Sequence, residues 1–142
     1  MDATLTLSSS STTTAGVILL TVLAVEWGGL VVLRITRGRR PATEFQRAFA
    51  RAGHAHAGVF VILALVSQIL VDATTLDGAA EALARYGAAA AAVLFPAGFF
   101  LSSAQPGATA PNRLVVLVYA GGVCLAAGAV ALGVGLIATD GP

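Results

Sequence analysis

The sequence predicts an all-α integral membrane protein in which four transmembrane helices form a bundle. Hydrophobic residues make up 57% of the 142 residues and charged residues only 11%, and the mean hydropathy is +0.88. Soluble domains carry about 25% charged residues, so water could not solvate this surface. The apolar runs are continuous and show no alternation with a period of two, which argues against the strands of a membrane barrel.

Four apolar segments approach the roughly 20 residues that a helix needs to cross a bilayer. They cover about residues 15–33, 53–71, 82–101 and 114–138. Residues 15–142 are therefore expected to form one transmembrane domain. Residues 1–14 are rich in serine and threonine and lack a basic region, so they are expected to be a disordered tail and not a cleaved signal peptide.

The charges predict an orientation for the spans. Six of the eight basic residues, all of them arginines, lie between the first and second spans, at positions 34, 37, 39, 40, 47 and 51. The positive-inside rule places this segment in the cytoplasm. The next loop carries Asp72, Asp77 and Glu81 and is expected outside, with Arg85 just beyond it. Both termini are then outside, in a multi-pass protein of the plasma membrane.

Proline and glycine residues mark features of the individual helices. Pro41 can start the second helix in the cytoplasm, because its missing N–H is not needed there, and Pro96 is expected to kink the third. In the fourth, three glycines recur every seven residues and let another helix approach closely: Gly121, Gly128 and Gly135. This stripe fits either packing within the chain or a contact between subunits.

The main functional signal is a layer of chemically distinctive residues near one end of the helices. The only two histidines, His54 and His56, stand where an arginine-rich stretch turns into an apolar run. A rise of about 1.5 Å per residue brings other side chains to the same level; these are Glu26, Trp27, Phe99, Phe100 and Tyr119. An ionisable residue such as Glu26 inside a membrane is a functional hypothesis by default, although a protonated packing residue is an alternative.

The two histidines point to different sides of a helix. They are two residues apart, about 200° around the axis, so one metal ion cannot easily bind both. His56 shares its face with Ala52, Gly53 and Phe60, which would leave room for a flat cofactor. His54 instead aligns with the arginines at 47 and 51. Alternatively, both histidines are simply interfacial residues at the end of a transmembrane helix.

Three short motifs resemble those of the styrene oxide isomerases and hydroxylaminobenzene mutases, which are small four-helix membrane proteins. The motifs are "FARAGHAHAG" at the second span, "AGFFLSS" at the end of the third, and the turn "PNR". In these isomerases a histidine at the start of helix two binds haem b between the subunits of a trimer, where the iron acts as a Lewis acid on an epoxide oxygen. The resemblance implies that His56, within "AHAG", is the axial ligand. Phe100 and Ile62 replace a tyrosine and an asparagine of the family, so a shared cofactor site is better supported than a shared reaction.

The resulting hypothesis is a haem b site with catalytic residues nearby. The candidates are His56 as metal ligand with His54 as the second, Arg47, Arg51, Ala52, Gly53, Phe60, Phe99, Phe100 and Trp27 around the cofactor, and Glu26 and Tyr119 in catalysis. Arginines suit haem propionates. Arg47 and Arg51, however, lie on the far side of the helix from His56 and would best reach a haem held by a neighbouring chain.

Three functions remain open at this point. The first is a haem-dependent isomerase or lyase that acts on a small apolar substrate. The second is electron transfer or gas binding at the same haem; if His54 of a neighbouring chain bound the second face of the haem, the site would be closed and limited to electron transfer. The third is a non-catalytic accessory subunit of a larger membrane complex. The expected partners are the lipid bilayer and further copies of the chain, with a trimer implied by the resemblance, and no nucleic acid.

Overall fold

The computed structural model describes residues 6–139, which form four long helices. These are α1 (Ser9–Thr36), α2 (Glu44–Val71), α3 (Gly78–Ser102) and α4 (Val116–Ala138), the last preceded by a short 3₁₀ turn at Arg113–Val115. Each is long and apolar enough to cross a membrane, and the described part of the chain contains no strand. The all-α class and the four candidate spans are therefore confirmed.

Helix α1 begins six residues before the predicted span. The side chain of Ser8 accepts a hydrogen bond from the backbone N–H of Ser11 and caps the helix. Ser8 also donates its own N–H and hydroxyl to the carboxylate of Asp72, at 2.8 and 3.0 Å. Residues 9–14, expected in a disordered tail, are thus helical because a distant acid anchors the cap. Residues 1–5 of that expected tail lie outside the described residues.

Helix α2 starts ahead of its apolar run, as predicted from Pro41. Thr43 caps it in a reciprocal arrangement with Gln46, in which each side chain accepts from the other's backbone N–H. Such a capping box satisfies two N–H groups that the helix itself leaves free. The Gln46 amide also donates to the carbonyl oxygens of Ser103 and Gln105, which ties the start of α2 to the loop after α3.

Helices α2 and α3 form the centre of the fold, with α1 packed on α2 and α4 packed on α3. The contact between α3 and α4 depends on glycine. A Cβ on Gly87 would lie 2.5 Å from the carbonyl oxygen of Cys124, and one on Gly128 would lie 2.8 Å from that of Leu83. The two backbones therefore touch directly, as small residues permit in membrane helices.

The other glycines of the α4 stripe are also used within the chain. Gly121 lies against the ring of Phe95, and Gly135 lies against the side chain of Leu76. This favours packing within the chain over a subunit contact as the role of the stripe.

The two ends of the helix bundle are named here by their residues. Both described chain ends lie near the loop after α2, and this end of the bundle is called the Asp72 end. The opposite end, which carries the loops 37–43 and 103–112, is called the arginine end.

A buried polar cluster at the Asp72 end joins three helices. Arg85, only 4% exposed, donates to Asp72 at 3.0 Å, to Glu81 at 2.8 Å and to the hydroxyl of Ser11. The Ser11 hydroxyl donates to the carbonyl oxygen of Gln68, whose amide donates to that of Arg85. From the sequence these charges predicted only the topology, whereas in the structure they hold α1, α2 and α3 together.

Asp72 remains ionised in this cluster over a wide range of pH. Burial alone raises the pKa of its carboxyl group, but hydrogen bonds from Ser8, Ser11 and Arg85 outweigh burial and lower the pKa to about 2. Hydrogen bonds and a nearby cation favour the charged form of a carboxylate. The stability that Asp72 contributes is therefore present at neutral pH.

Candidate functional site

His56 lies within a group of phenyl rings at the contact between α2 and α3. Its ring stacks on Phe95 and Phe99, with centroids 5.4 and 5.5 Å apart and interplanar angles of 10° and 25°. Phe60, one turn further along α2, lies 5.4 Å away in a tilted arrangement. The imidazole is therefore held in one orientation by aromatic neighbours.

A backbone hydrogen bond fixes the tautomer of His56. Its Nδ1 lies 2.7 Å from the carbonyl oxygen of Ala52. Because a carbonyl oxygen can only accept, Nδ1 must carry the hydrogen, and in the neutral ring the lone pair is on Nε2. Metal-binding imidazoles are commonly oriented by such a bond to a carbonyl group.

His54 lies on another side of α2, against α1. A Cβ on Gly29 would be 3.0 Å from Cε1 of His54, so the glycine makes room for the ring. The Nδ1 atom of His54 is buried and has no hydrogen-bond partner among the described residues. Within residues 6–139 no group of three or more histidine, cysteine or acidic side chains is placed to hold a metal ion. The two histidines thus occupy separate environments.

A cavity of about 620 Å³ opens beside His54, between α1 and α3, with α2 as its floor. This volume is within the range of about 300–1,000 Å³ that small-molecule sites occupy. Its wall near the histidine includes Trp27 and Gly28 of α1 and Phe100 of α3, and Arg40 and Gln46 lie at the arginine end. The rest of the lining is mainly apolar.

The space expected beside Gly53 is filled. A Cβ on Gly53 would lie 2.9 Å from Cβ of Phe99 and 3.2 Å from the ring of Phe100. The small residue at this position lets α3 approach α2, and it leaves no slot for a flat cofactor between them. Ala52, the other small residue predicted to line the cofactor, contributes its carbonyl oxygen to His56 instead.

The predicted layer is divided between the two sides of α2. Trp27 lines the cavity of His54, and the guanidinium of Arg34 lies 5.8 Å from its ring centroid. Glu26 and Tyr119 are exposed on the peripheral helices α1 and α4, and neither lines the cavity nor stacks on His56. The rise of a helix predicts the depth of each of these residues but not the side of α2 on which it lies.

The two arginines assigned to the cofactor form hydrogen bonds only with nearby backbone carbonyl groups among the described residues. Both are exposed. The guanidinium of Arg47 donates to the carbonyl oxygen of Ala42, at 3.2 and 3.0 Å. That of Arg51 donates to the carbonyl oxygen of Arg47 at 3.3 Å. Both side chains lie at the surface, where a further molecule could reach them.

The fold and the site together define a protein of four long apolar helices that presents an oriented imidazole among phenyl rings and, separately, a cavity with a second imidazole in its wall. Comparisons with protein-family models, with curated proteins and with solved structures find no match for the chain. The resemblance to the styrene oxide isomerase group therefore remains a hypothesis.

Proposed function

We propose that the protein is a membrane-embedded haem b protein in which His56 binds the iron and leaves the opposite face open to a substrate. The observation that carries this proposal is the 2.7 Å hydrogen bond between Nδ1 of His56 and Ala52. It leaves the lone pair on Nε2, the atom that would bind iron. The stacking of Phe95 and Phe99 on the ring supports it, because the imidazole is already oriented.

The surroundings of His56 fit a haem on its exposed side. Val59 and Leu63 share the face of His56 at helical spacing and are 60% and 39% exposed. They offer an apolar surface to a porphyrin, whereas the side towards Gly53 is filled by α3. A haem bound in this way would be covered only by a second chain. A homo-oligomer, for which the family resemblance implies a trimer, is therefore part of the proposal.

Exposed polar groups elsewhere on the surface support an interface between copies. Glu26 and Tyr119 lie exposed on helices that are apolar enough to span a membrane. An acid facing lipid is costly unless another protein surface covers it. In an oligomer, Arg47 and Arg51 of one chain would hold the propionates of the haem on the next.

The proposed activity is that of an isomerase or lyase on a small apolar substrate. Haem b, when bound, would supply a ferric Lewis acid that polarises an oxygen or nitrogen of the substrate. The rings of Phe60, Phe95 and Phe99 would hold His56 in its orientation and keep water away from its side of the iron. Glu26 of a neighbouring chain would move a proton.

Two other functions have less support. For a closed electron-transfer site, His54 of a neighbouring chain would have to bind the second face of the iron. Its ring would then have to leave its packing against Gly28 and Gly29. An accessory subunit was suggested by the glycine stripe of α4, but Gly121, Gly128 and Gly135 pack within the chain. The stripe therefore no longer favours a partner complex.

The proposal includes an orientation in the plasma membrane. The arginine end would face the cytoplasm, and both termini would lie outside, because six arginines occupy the segment between the first two spans. Haem synthesised in the cell would then reach His56 from the cytoplasmic half of the bilayer.

An absorbance spectrum tests the function. The protein, expressed with ample haem and purified in detergent, is expected to show a Soret band and to bind haem in proportion to chain concentration. An added small imidazole is expected to shift that band, because one face of the iron is open. The absence of a Soret band would contradict the proposal. A Soret band that imidazole does not shift would mean that both faces of the iron are occupied, which would favour electron transfer over the isomerase.

A further inference from the structure

We propose that the cavity beside His54 is a second binding site, which takes a lipid-soluble molecule with an oxygen-bearing ring as its head and a long apolar tail. The cavity lies between α1 and α3. His56 lies about 200° around α2 from His54, among the rings of Phe60, Phe95 and Phe99. The inference therefore does not depend on a cofactor at His56.

The cavity continues as a groove towards the Asp72 end. A second space of about 290 Å³ lies between α1 and α3, lined from Thr13 to Thr21 on α1 and by Tyr86 and Ala89 on α3. Thr21, Ala92 and Val93 line both spaces, which makes them neighbours along one furrow. From Thr13 to Ile35 the furrow extends for about 33 Å at the rise of a helix. That is close to the roughly 30 Å thickness of a bilayer core.

The shape of the furrow distinguishes a head from a tail. The space beside His54 is the larger, about 620 Å³, and there Trp27 and Phe100 contribute flat aromatic surface. Rings of this kind pack well against another flat ring. The space towards the Asp72 end is smaller, about 290 Å³, and it holds neither of these rings. Thr21, at the junction, already donates its hydroxyl to the carbonyl oxygen of Ile18.

His54 supplies the polar match for the head. Two other polar side chains of the cavity are engaged: Gln46 donates to the carbonyl oxygens of Ser103 and Gln105, and the hydroxyl of Ser103 donates to the carbonyl oxygen of Phe99. Arg40 also lines the cavity, from the loop at the arginine end. The imidazole of His54 makes no hydrogen bond within the described residues, and its Nδ1 is buried. A turn of this ring would bring an N–H to a carbonyl or hydroxyl oxygen of a ligand.

In a membrane, the head of the ligand and not its tail should determine which molecule binds in the cavity. An apolar tail gains little when it leaves lipid for a protein groove, because both surroundings are apolar. A hydrogen bond to an oxygen in an apolar cavity does distinguish one lipid-soluble molecule from another. His54 should therefore control affinity, whereas the groove should control the direction in which the tail lies.

The test uses the single tryptophan of the chain, Trp27, which lines the cavity. Its fluorescence in detergent-purified protein is titrated with tetramethylbenzoquinone and with the analogue in which a decyl chain replaces one methyl group. Saturable quenching is expected. His54→Phe should weaken the apparent affinity by about 3- to 10-fold, the effect of one net hydrogen bond. His54→Gln, which keeps a donor, should retain most of it.

Two controls make the titration decisive. Ile62→Ala changes a lipid-exposed side chain of α2 that does not line the cavity, and it should leave quenching unchanged. A decyl analogue with a photoreactive diazirine at the chain end should label residues 13–21 or 86–93. Quenching that does not saturate, or that His54→Phe leaves unchanged, would overturn the site, and labelling at the arginine end would overturn the assigned direction of the tail. The labelling result does not depend on fluorescence, so it stands whether or not His56 binds haem.

Discussion

Arg85 and Asp72 form an ion pair of 3.0 Å whose side chains are only 5% and 13% exposed. The pair joins α3 to the end of α2. Through Ser8 and Ser11 it also reaches the start of α1. Because α1 packs mainly on α2, this cluster is its chief polar attachment at the Asp72 end.

Removal of the arginine should therefore be costly. Arg85→Met leaves Asp72 without its cation, and breaking one partner of a buried pair costs about 3–5 kcal/mol. Thermal unfolding in detergent, followed by circular dichroism, measures the loss. Arg113→Met is the matched control, since Arg113 is exposed and forms no ion pair with another residue between 6 and 139. Equal effects of the two substitutions would contradict a stabilising role of the cluster.

Acid should weaken the same cluster. The pKa of Asp72 is about 2 in the folded protein against an ordinary value of 3.8. A carboxyl group with a lowered folded pKa stabilises fully above its unfolded pKa and loses this contribution as the pH falls. The melting temperature should therefore drop between about pH 4 and pH 2. Asp72→Asn should flatten this decline, and Asp77→Asn, at an exposed cap without a side-chain hydrogen bond, should leave it unchanged.

The close contact between α3 and α4 predicts different effects on stability for alanine substitutions at two glycines of α4. Gly128→Ala would place a Cβ 2.8 Å from the carbonyl oxygen of Leu83, whereas Gly133→Ala meets no atom within 4 Å. The first should destabilise the protein by about 1–3 kcal/mol through overpacking. The second should be neutral or slightly stabilising, because alanine favours helix over glycine. Similar melting temperatures for both variants would show that the helices do not touch at Gly128.

The orientation is tested by labelling single cysteines in a chain that carries Cys124→Ala. Ser10→Cys lies near the start of α1 and Gln105→Cys lies in the loop at the arginine end; both positions are exposed. A reagent that cannot cross the membrane should modify only Ser10→Cys in intact cells, because the arginine end is expected in the cytoplasm. Modification of only Gln105→Cys would reverse the proposed orientation.

The spans could be predicted because each depends only on a local run of apolar residues. The start of α1 could not, since the group that anchors Ser8 is Asp72, 64 positions away along the chain. Arg85 was predicted only to lie just beyond the acidic outer loop, and the packing of three helices shows that it is buried. Distant polar partners leave no periodic signal in a sequence.

The site was predictable to the extent that helical spacing determines it. The shared face of His56 and Phe60, and the separation of His54 from it, follow from a period of 3.6 residues. The residues of other helices that pack against each face cannot be deduced from this period. Gly53 was expected to leave room for a cofactor, but Phe99 and Phe100 of α3 fill that room. The cavity beside His54 likewise arises from the gap between α1 and α3, which no single helix encodes.

The central claim is that His56 binds haem through Nε2, and haem content after a single substitution tests it most directly. His56→Ala and His54→Ala are purified side by side with the unchanged protein, after circular dichroism has shown that both retain their helices. His56→Ala is expected to lose the Soret band, and His54→Ala is expected to retain it with nearly the same haem content per chain as the unchanged protein. A Soret band that survives in His56→Ala, or that disappears only in His54→Ala, would contradict the assignment.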